Sequence, residues 1–264
     1  MKLFTHLAFI ILAAFITACS SDEKESAELV EMHFRAVMPD SNLSKSVGSG
    51  NLVNVLYVEA ISNTGKKVRY EFPVTSGYVD ARISLAKGLI YDIIFWAQRK
   101  ENNHYDNRDL TAIKMNLPTA MTNVLAMEQY DAFYATLRNI PAEDKAVTDV
   151  ELTRPLAQVN VAHTRDDARN VKLNLDSIPT IFKPLEDKLT NEENIEINFE
   201  PCRQKITLDG LTYNHLAMMY IFATPTDYNT RFALDIIIND DSKVSIGNSL
   251  SVKANHRTNI INSL

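Results

Sequence analysis

The 264-residue chain is poor in the residues that mark most recognisable chemistry, with two cysteines, one tryptophan and seven glycines. No Lys/Arg-rich run occurs, and 27 basic against 33 acidic residues leave a formal charge of −6. The lack of a basic stripe for phosphates argues against a nucleic-acid partner. The histidines (His6, His33, His104, His163, His215 and His256) are scattered, with no H-E-x-x-H or other metal-ligand spacing. No G-x-S-x-G, G-x-G-x-x-G or phosphate-cradling loop is present, and Gly48-Ser49-Gly50 has no lysine after it. Asn239-Asp240-Asp241-Ser242 lacks the distal bidentate Glu of a calcium loop and reads as a hairpin turn. Glu192-Glu193 reads as a solvated loop. No catalytic residue, metal site or cofactor is therefore expected, and the reading is of a protein that is not an enzyme.

What the chain does have begins at the N-terminus. Lys2 and the apolar run over residues 7–16 form an export signal, too short to span a bilayer. The run ends in Ile16-Thr17-Ala18-Cys19, which resembles a bacterial lipobox, with Cys19 as the acylated residue (palmitate among its chains) after removal of residues 1–18. Residues 19–27 are polar and read as a tether; their acidic run resembles the surface-export signal of Bacteroidota lipoproteins. With Cys19 committed to lipid, Cys202 has no partner, so no intramolecular disulfide supports the fold. Asparagine is abundant, at 23 residues, and is expected to supply left-handed turn positions that glycine fills elsewhere.

The body alternates with period two almost throughout. Val30, Met32, Phe34 and Ala36 alternate with Glu31, His33 and Arg35 as in a half-buried strand. Residues 39–50 form a Ser/Gly/Asn-rich loop. Strand signals follow over 52–61, 67–72, 78–85 and 110–115, and over 89–96, an apolar run suited to a strand buried on both faces. In the second half they cover 150–161, 171–175, 195–199, 205–208, 216–223, 232–239 and 250–254. Helical spacing is limited to 127–137 and 184–189. Many short strands between turn clusters predict an all-β sandwich, and residues 141–148 are the best boundary between a 28–149 and a 150–264 unit. No tandem repeat of 20–50 residues is visible. Tyr91, Phe95 and Trp96 lie in the most apolar run and read as core, whereas His104 and Tyr105, in a polar loop, are the candidate exposed aromatics for stacking on a sugar.

Three segments carry a wider resemblance: Ile94-Phe95-Trp96-Ala97-Gln98, Asp131-Ala132-Phe133-Tyr134 and the run from Leu152 through Arg154-Pro155 to Val161. With Asn255-His256-Arg257-Thr258-Asn259-Ile260 they follow one another as in the fimbrillin-like lipoproteins of Bacteroidales, the major and minor fimbrillin superfamily, and most closely a branch of it known only as a domain of unknown function. The resemblance implies two tandem transthyretin-like β-sandwich domains, lipid-anchored in the outer membrane and displayed at the cell surface or in a fimbrium. It implies other fimbrial subunits as partners, together with a host or bacterial surface ligand. In polymerising relatives a protease cuts after a basic residue beyond the first strand, which then leaves a groove for a neighbour's strand. Here that implies Lys45 as the maturation site and the Val30, Met32, Phe34 and Ala36 strand as the one displaced. Relatives commonly continue past the Arg-Thr-Asn-Ile segment, while this chain stops at Leu264, which implies an anchor-type or non-polymerising subunit. The rival expectation is a glycan-binding surface lipoprotein of a nutrient-uptake system.

Overall fold

The computed structural model describes residues 28–39, 50–101, 103–121, 124–143, 147–164, 170–200, 205–208, 210–226, 228–239 and 242–262. It is all-β, with four sheets packed as two sandwiches. The first half contributes β1 (Leu29–Val37), β2 (Val55–Ser62), β3 (Lys67–Pro73), β4 (Tyr78–Ala86), β5 (Ile90–Gln98), β6 (Tyr105–Asp106), β7 (Ile113–Met115), β8 (Ala120–Met121), β9 (Phe133–Pro141) and β10 (Thr148–Glu151). The second contributes β11 (Leu156–His163), β12 (Asn170–Lys183), β13 (Lys188–Phe199), β14 (Lys205–Leu208), β15 (Leu211–Phe222), β16 (Tyr228–Asn239), β17 (Ser242–Val252) and β18 (Arg257–Asn262).

The first sandwich stacks sheet β10-β1-β4 on sheet β3-β2-β5-β9, and the second stacks β14-β15-β11-β18 on a sheet running β17-β16-β12-β13. The two share one topology. The opening strand of each lies between the closing strand, to which it is parallel, and the fourth main strand, to which it is antiparallel: β10-β1-β4 in one, β18-β11-β15 in the other. The facing sheets correspond strand for strand, β3-β2-β5-β9 with β13-β12-β16-β17. No short sequence repeat betrays this, because topology depends on the placing of apolar alternation and turns rather than on residue identity.

The inner faces follow from the alternation. Val79, Ala81, Ile83 and Leu85 of β4 are buried, while the residues between them are exposed. On β5 both faces are buried. Tyr91, Ile93, Phe95 and Ala97 join the first core, and Ile94 and Trp96 join the second. The second core reaches β5 because residues 105–130, which leave the first sandwich, lend Tyr105, Leu110, Ile113, Met115, Met127 and Tyr130 to it. Trp96 meets Tyr105 edge-on at 5.2 Å and donates its indole N–H to Gln98 Oε1 at 2.7 Å.

Several local expectations fail. Residues 127–137 are not one helix: a 3₁₀ turn covers Val124–Tyr130, and β9 then pairs along β5, because backbone pairing beside a buried strand outweighs local helical spacing. The second candidate shrinks to a 3₁₀ turn at Pro184–Glu186. Glu192 and Glu193 are not in a loop but in β13, on an exposed edge where charge is tolerated. Of the five non-glycine residues with positive φ among those described, three are asparagines (Asn139, Asn191 and Asn255), the role expected of that residue.

Candidate functional site

The inward residues expected of the first strand all lie on β1. Met32, Phe34 and Ala36 are buried, Val30 is half-buried, and Glu31 and Arg35 face solvent. Phe34 packs edge-on against Phe95 at 5.5 Å. β1 pairs with β4 over its whole length, from Leu29 opposite Ala86 to Val37 opposite Tyr78, and with β10 only from Phe34 to Val37. At roughly 1.5–3 kcal/mol for each large apolar side chain, its inward face contributes about 6 kcal/mol, the size of a small domain's whole net stability. An empty β1 position would leave an apolar floor and two strands with unpaired edges.

Covalently, β1 joins the rest of the sandwich only through residues 38–54. Lys45 falls in the stretch 40–49, which lies outside the described residues, as do Cys19 and Cys202. The far end of that stretch is fixed. Gly50 has φ +66°, and a Cβ there would lie 3.1 Å from the Phe133 ring. Its N–H bonds to the Asp131 carboxylate.

Asp131 is the hub of the junction between the sandwiches. Arg154 donates to it through Nε at 2.6 Å and Nη2 at 2.9 Å, gives Nη1 to Asn255 Oδ1 at 2.7 Å, and lies 4.6 Å over the Phe133 ring. Both partners are almost fully enclosed. Burial pushes the Asp131 carboxyl up, opposed by Arg154 and by the N–H groups of Ala132 and Gly50. The two form a buried, bidentate ion pair. Asn255, at φ +56°, donates its N–H to Leu156 O, and Tyr134 and Thr153 exchange two backbone bonds of 2.8 Å. Leu152 N–H bonds to Val37 O at 2.9 Å, tying the end of β1 to the passage between the sandwiches.

The motifs on which the resemblance rests thus converge on one structural junction. Arg257 Nε donates to Gln158 Oε1 at 2.8 Å, and Gln158 Nε2 to Tyr220 Oη at 3.1 Å. Tyr220 Oη donates to Glu128 Oε2 at 3.1 Å. His215 Nε2 lies 3.1 Å from Asn160 Oδ1, and burial pushes its imidazole down to about 4. This arrangement can hold strands and a fixed angle between sandwiches; it offers no paired acid and base beside a nucleophile. Among the described residues no group of three His, Cys, Asp or Glu is placed to hold a metal, and no helix is long and apolar enough to cross a membrane.

The expected sugar-stacking pair is not exposed. Tyr105 is a core residue whose hydroxyl donates to Tyr130 O, and His104 stacks on Tyr130 with ring centres 3.5 Å apart. Burial pushes His104 down to about 4. A loop that is polar in sequence can still press its aromatics inward when it crosses between two cores. Sequence reasoning also missed Gly50 and the pairing of Asp131 with Arg154. For Gly50 the usable signal was a glycine closing a loop; for the pair it was two charged residues inside otherwise apolar motifs.

A family model for DUF6562, described as a family of unknown function, matches residues 24–264. The chain belongs to that family. No curated protein matches this DUF6562 chain. A candidate adhesin from Bacteroides thetaiotaomicron aligns with a TM-score of 0.55 at 14% identity, over 83% of this chain and 81% of that one. A candidate polysaccharide-binding protein from the same species aligns at 0.51 and 13%, over 81% and 80%. The fimbrial anchor protein Mfa2 from Porphyromonas gingivalis aligns at 0.46 and 12%, over 77% of each chain. At such identities the first two likenesses show that the fold is shared with these Bacteroides proteins; they show nothing about ligands.

Proposed function

We propose that the chain is a non-enzymatic surface subunit of fimbrial or adhesin type, moored in the outer membrane through lipid on Cys19, that joins neighbouring subunits by strand addition at the β1 position. The observation that carries this reading is the placement of β1. It fills the centre of a three-stranded sheet, supplies that sheet's largest inward side chains, and is tied covalently through a single loop. β11 occupies the equivalent position in the second sandwich but is continuous at both ends, so no single cut frees it. A cut after Lys45 would leave β1 held only by pairing and packing, and an incoming strand that satisfies β4 and β10 replaces like with like. The fold shared with a candidate adhesin supports the same reading.

The test is mass spectrometry of surface-released material from the native bacterium. Chains beginning at Ser46 within SDS-resistant ladders are expected; recovery of intact lipidated monomer alone under all growth conditions contradicts the proposal.

A further inference from the structure

We infer that β17 is a second assembly surface, at which two copies of this chain pair edge to edge across a two-fold axis. Exposed strand edges invite pairing, and natural sheets blunt them with charge, proline, bulges or shortness. The other edges described here carry such features. β3 bears Lys67, Arg69, Glu71 and Pro73. β9 bears Arg138, a left-handed Asn139 and Pro141. β13 bears Glu192, Glu193 and Glu196 beside a left-handed Asn191. β10, β14 and β18 are short and charged. β17 is an eleven-residue strand with no charged residue or proline from Val244 to Val252, paired on one side with β16; among the described residues no strand pairs along its other edge, which β18 touches only at its Ser251 end.

Its main chain is set for a partner. Thr258 Oγ1 donates to Ser251 O from the side away from β16, so by alternation Ser245, Gly247 and Ser249 also aim their N–H and C=O groups at that free edge. There the Asn248 carboxamide takes the Ser249 N–H at 2.8 Å, a local substitute for a strand.

The occupant and its register follow from charge on the neighbouring strand. Asp235 of β16 is opposite Ser245, whose hydroxyl it accepts at 2.6 Å, and Arg231 is opposite Ser249. In an antiparallel self-pair centred on Gly247, Ser245 of one copy faces Ser249 of the other. Each row across the interface then runs Asp235, Ser245, Ser249, Arg231, with an acid at one end and a base at the other. The ends are three strand spacings apart, roughly 14 Å between Cα atoms, and the long arginine closes much of that gap over two small serines. Shifting the register breaks the match, and the glycine at the axis gives the closest strand approach. About six main-chain hydrogen bonds would form. The surface is separate from β1, so it assembles uncut chains as well as cut ones.

Sedimentation of the uncut chain from Ser20 onward, at rising concentration, tests this. Self-association to a dimer in roughly the micromolar-to-millimolar range is expected. The exposed double substitution Ser245→Lys/Ser249→Lys should shift the midpoint more than tenfold toward monomer, because it sets lysines face to face. Mixing it with Ser245→Glu/Ser249→Glu should restore a one-to-one dimer. A wild-type chain that stays monomeric throughout, or a lysine variant that dimerises as the wild type does, overturns the inference. Amide exchange supplies a readout that needs no variant: the amides of Ser245, Gly247 and Ser249 should slow with concentration, and no change in them counts against it.

Discussion

Replacing Arg154 with methionine tests whether the Asp131–Arg154 pair organises the junction. The substitution keeps most of the side-chain volume but removes both bonds to Asp131 and the one to Asn255. Removing one partner of a buried ion pair costs about 3–5 kcal/mol, because the other charge stays enclosed and unpaired. The bond lost at Asn255 adds about 1 kcal/mol. Asp131→Asn should cost a similar amount, since it strands the guanidinium against Phe133. The double variant Asp131→Asn/Arg154→Met buries no charge, so its cost should fall short of the sum of the singles by at least about 2 kcal/mol. Urea unfolding followed through Trp96, the only tryptophan and a buried residue at this junction, reads the cycle directly. The penalty of Arg154→Met should also shrink in acid. Without its cation, Asp131 has a folded pKa raised further above the unfolded value, so the variant is relatively more stable below that pKa and loses this as pH rises through it. Costs below about 1 kcal/mol, or strict additivity, would refute the view that these groups act as one unit.

Other expectations follow from single side chains. Gly50→Ala should lose about 2 kcal/mol in urea, from a left-handed backbone plus the 3.1 Å approach to Phe133, and an unchanged midpoint would contradict this. His215 is neutral when folded, with its pKa pushed down to about 4 by burial, so it contributes stability above the unfolded value near 6.5 that is lost as pH falls toward 4. That loss is about 3 kcal/mol, and His215→Gln should flatten the stability–pH curve between those limits. Phe34→Ala should cost about 3–5 kcal/mol by thermal or urea unfolding, since it empties the space against Phe95.

The architecture was legible because period-two alternation is a direct imprint of a half-buried strand: Met32, Phe34 and Ala36 are inward as their spacing predicts. Boundaries were less so. The strand signals over 171–175 and 195–199 mark only parts of β12 and β13: β12 runs on past a register shift, where the exposed Asp176 and Ser177 break the alternation before the buried Ile178, Thr180 and Phe182, and residues 188–194 of β13 are largely exposed and polar. The burial of Tyr105 was hidden because its burial depends on a second core more than a hundred residues away in the chain, where Phe222 meets it at 5.9 Å. Asp131 and Arg154 each stood in a recognised motif, yet nothing in one dimension says that a charge inside an apolar run will find its opposite rather than solvent. The strand position at β1 was readable in the same way as its burial; its place at the centre of a sheet, joined to the rest of the sandwich through one loop, follows from the topology alone.

The replaceability of β1 is tested most directly by strand exchange on the purified chain. A specific protease cut placed within residues 40–49 is followed by incubation with a labelled peptide of residues 28–38. Cut chains should take up one labelled peptide each as unlabelled β1 departs, uncut chains should take up none, and a peptide carrying Phe34→Asp should fail to enter. Cut chains that never exchange, or that take up both peptides equally, would contradict the replaceability of β1.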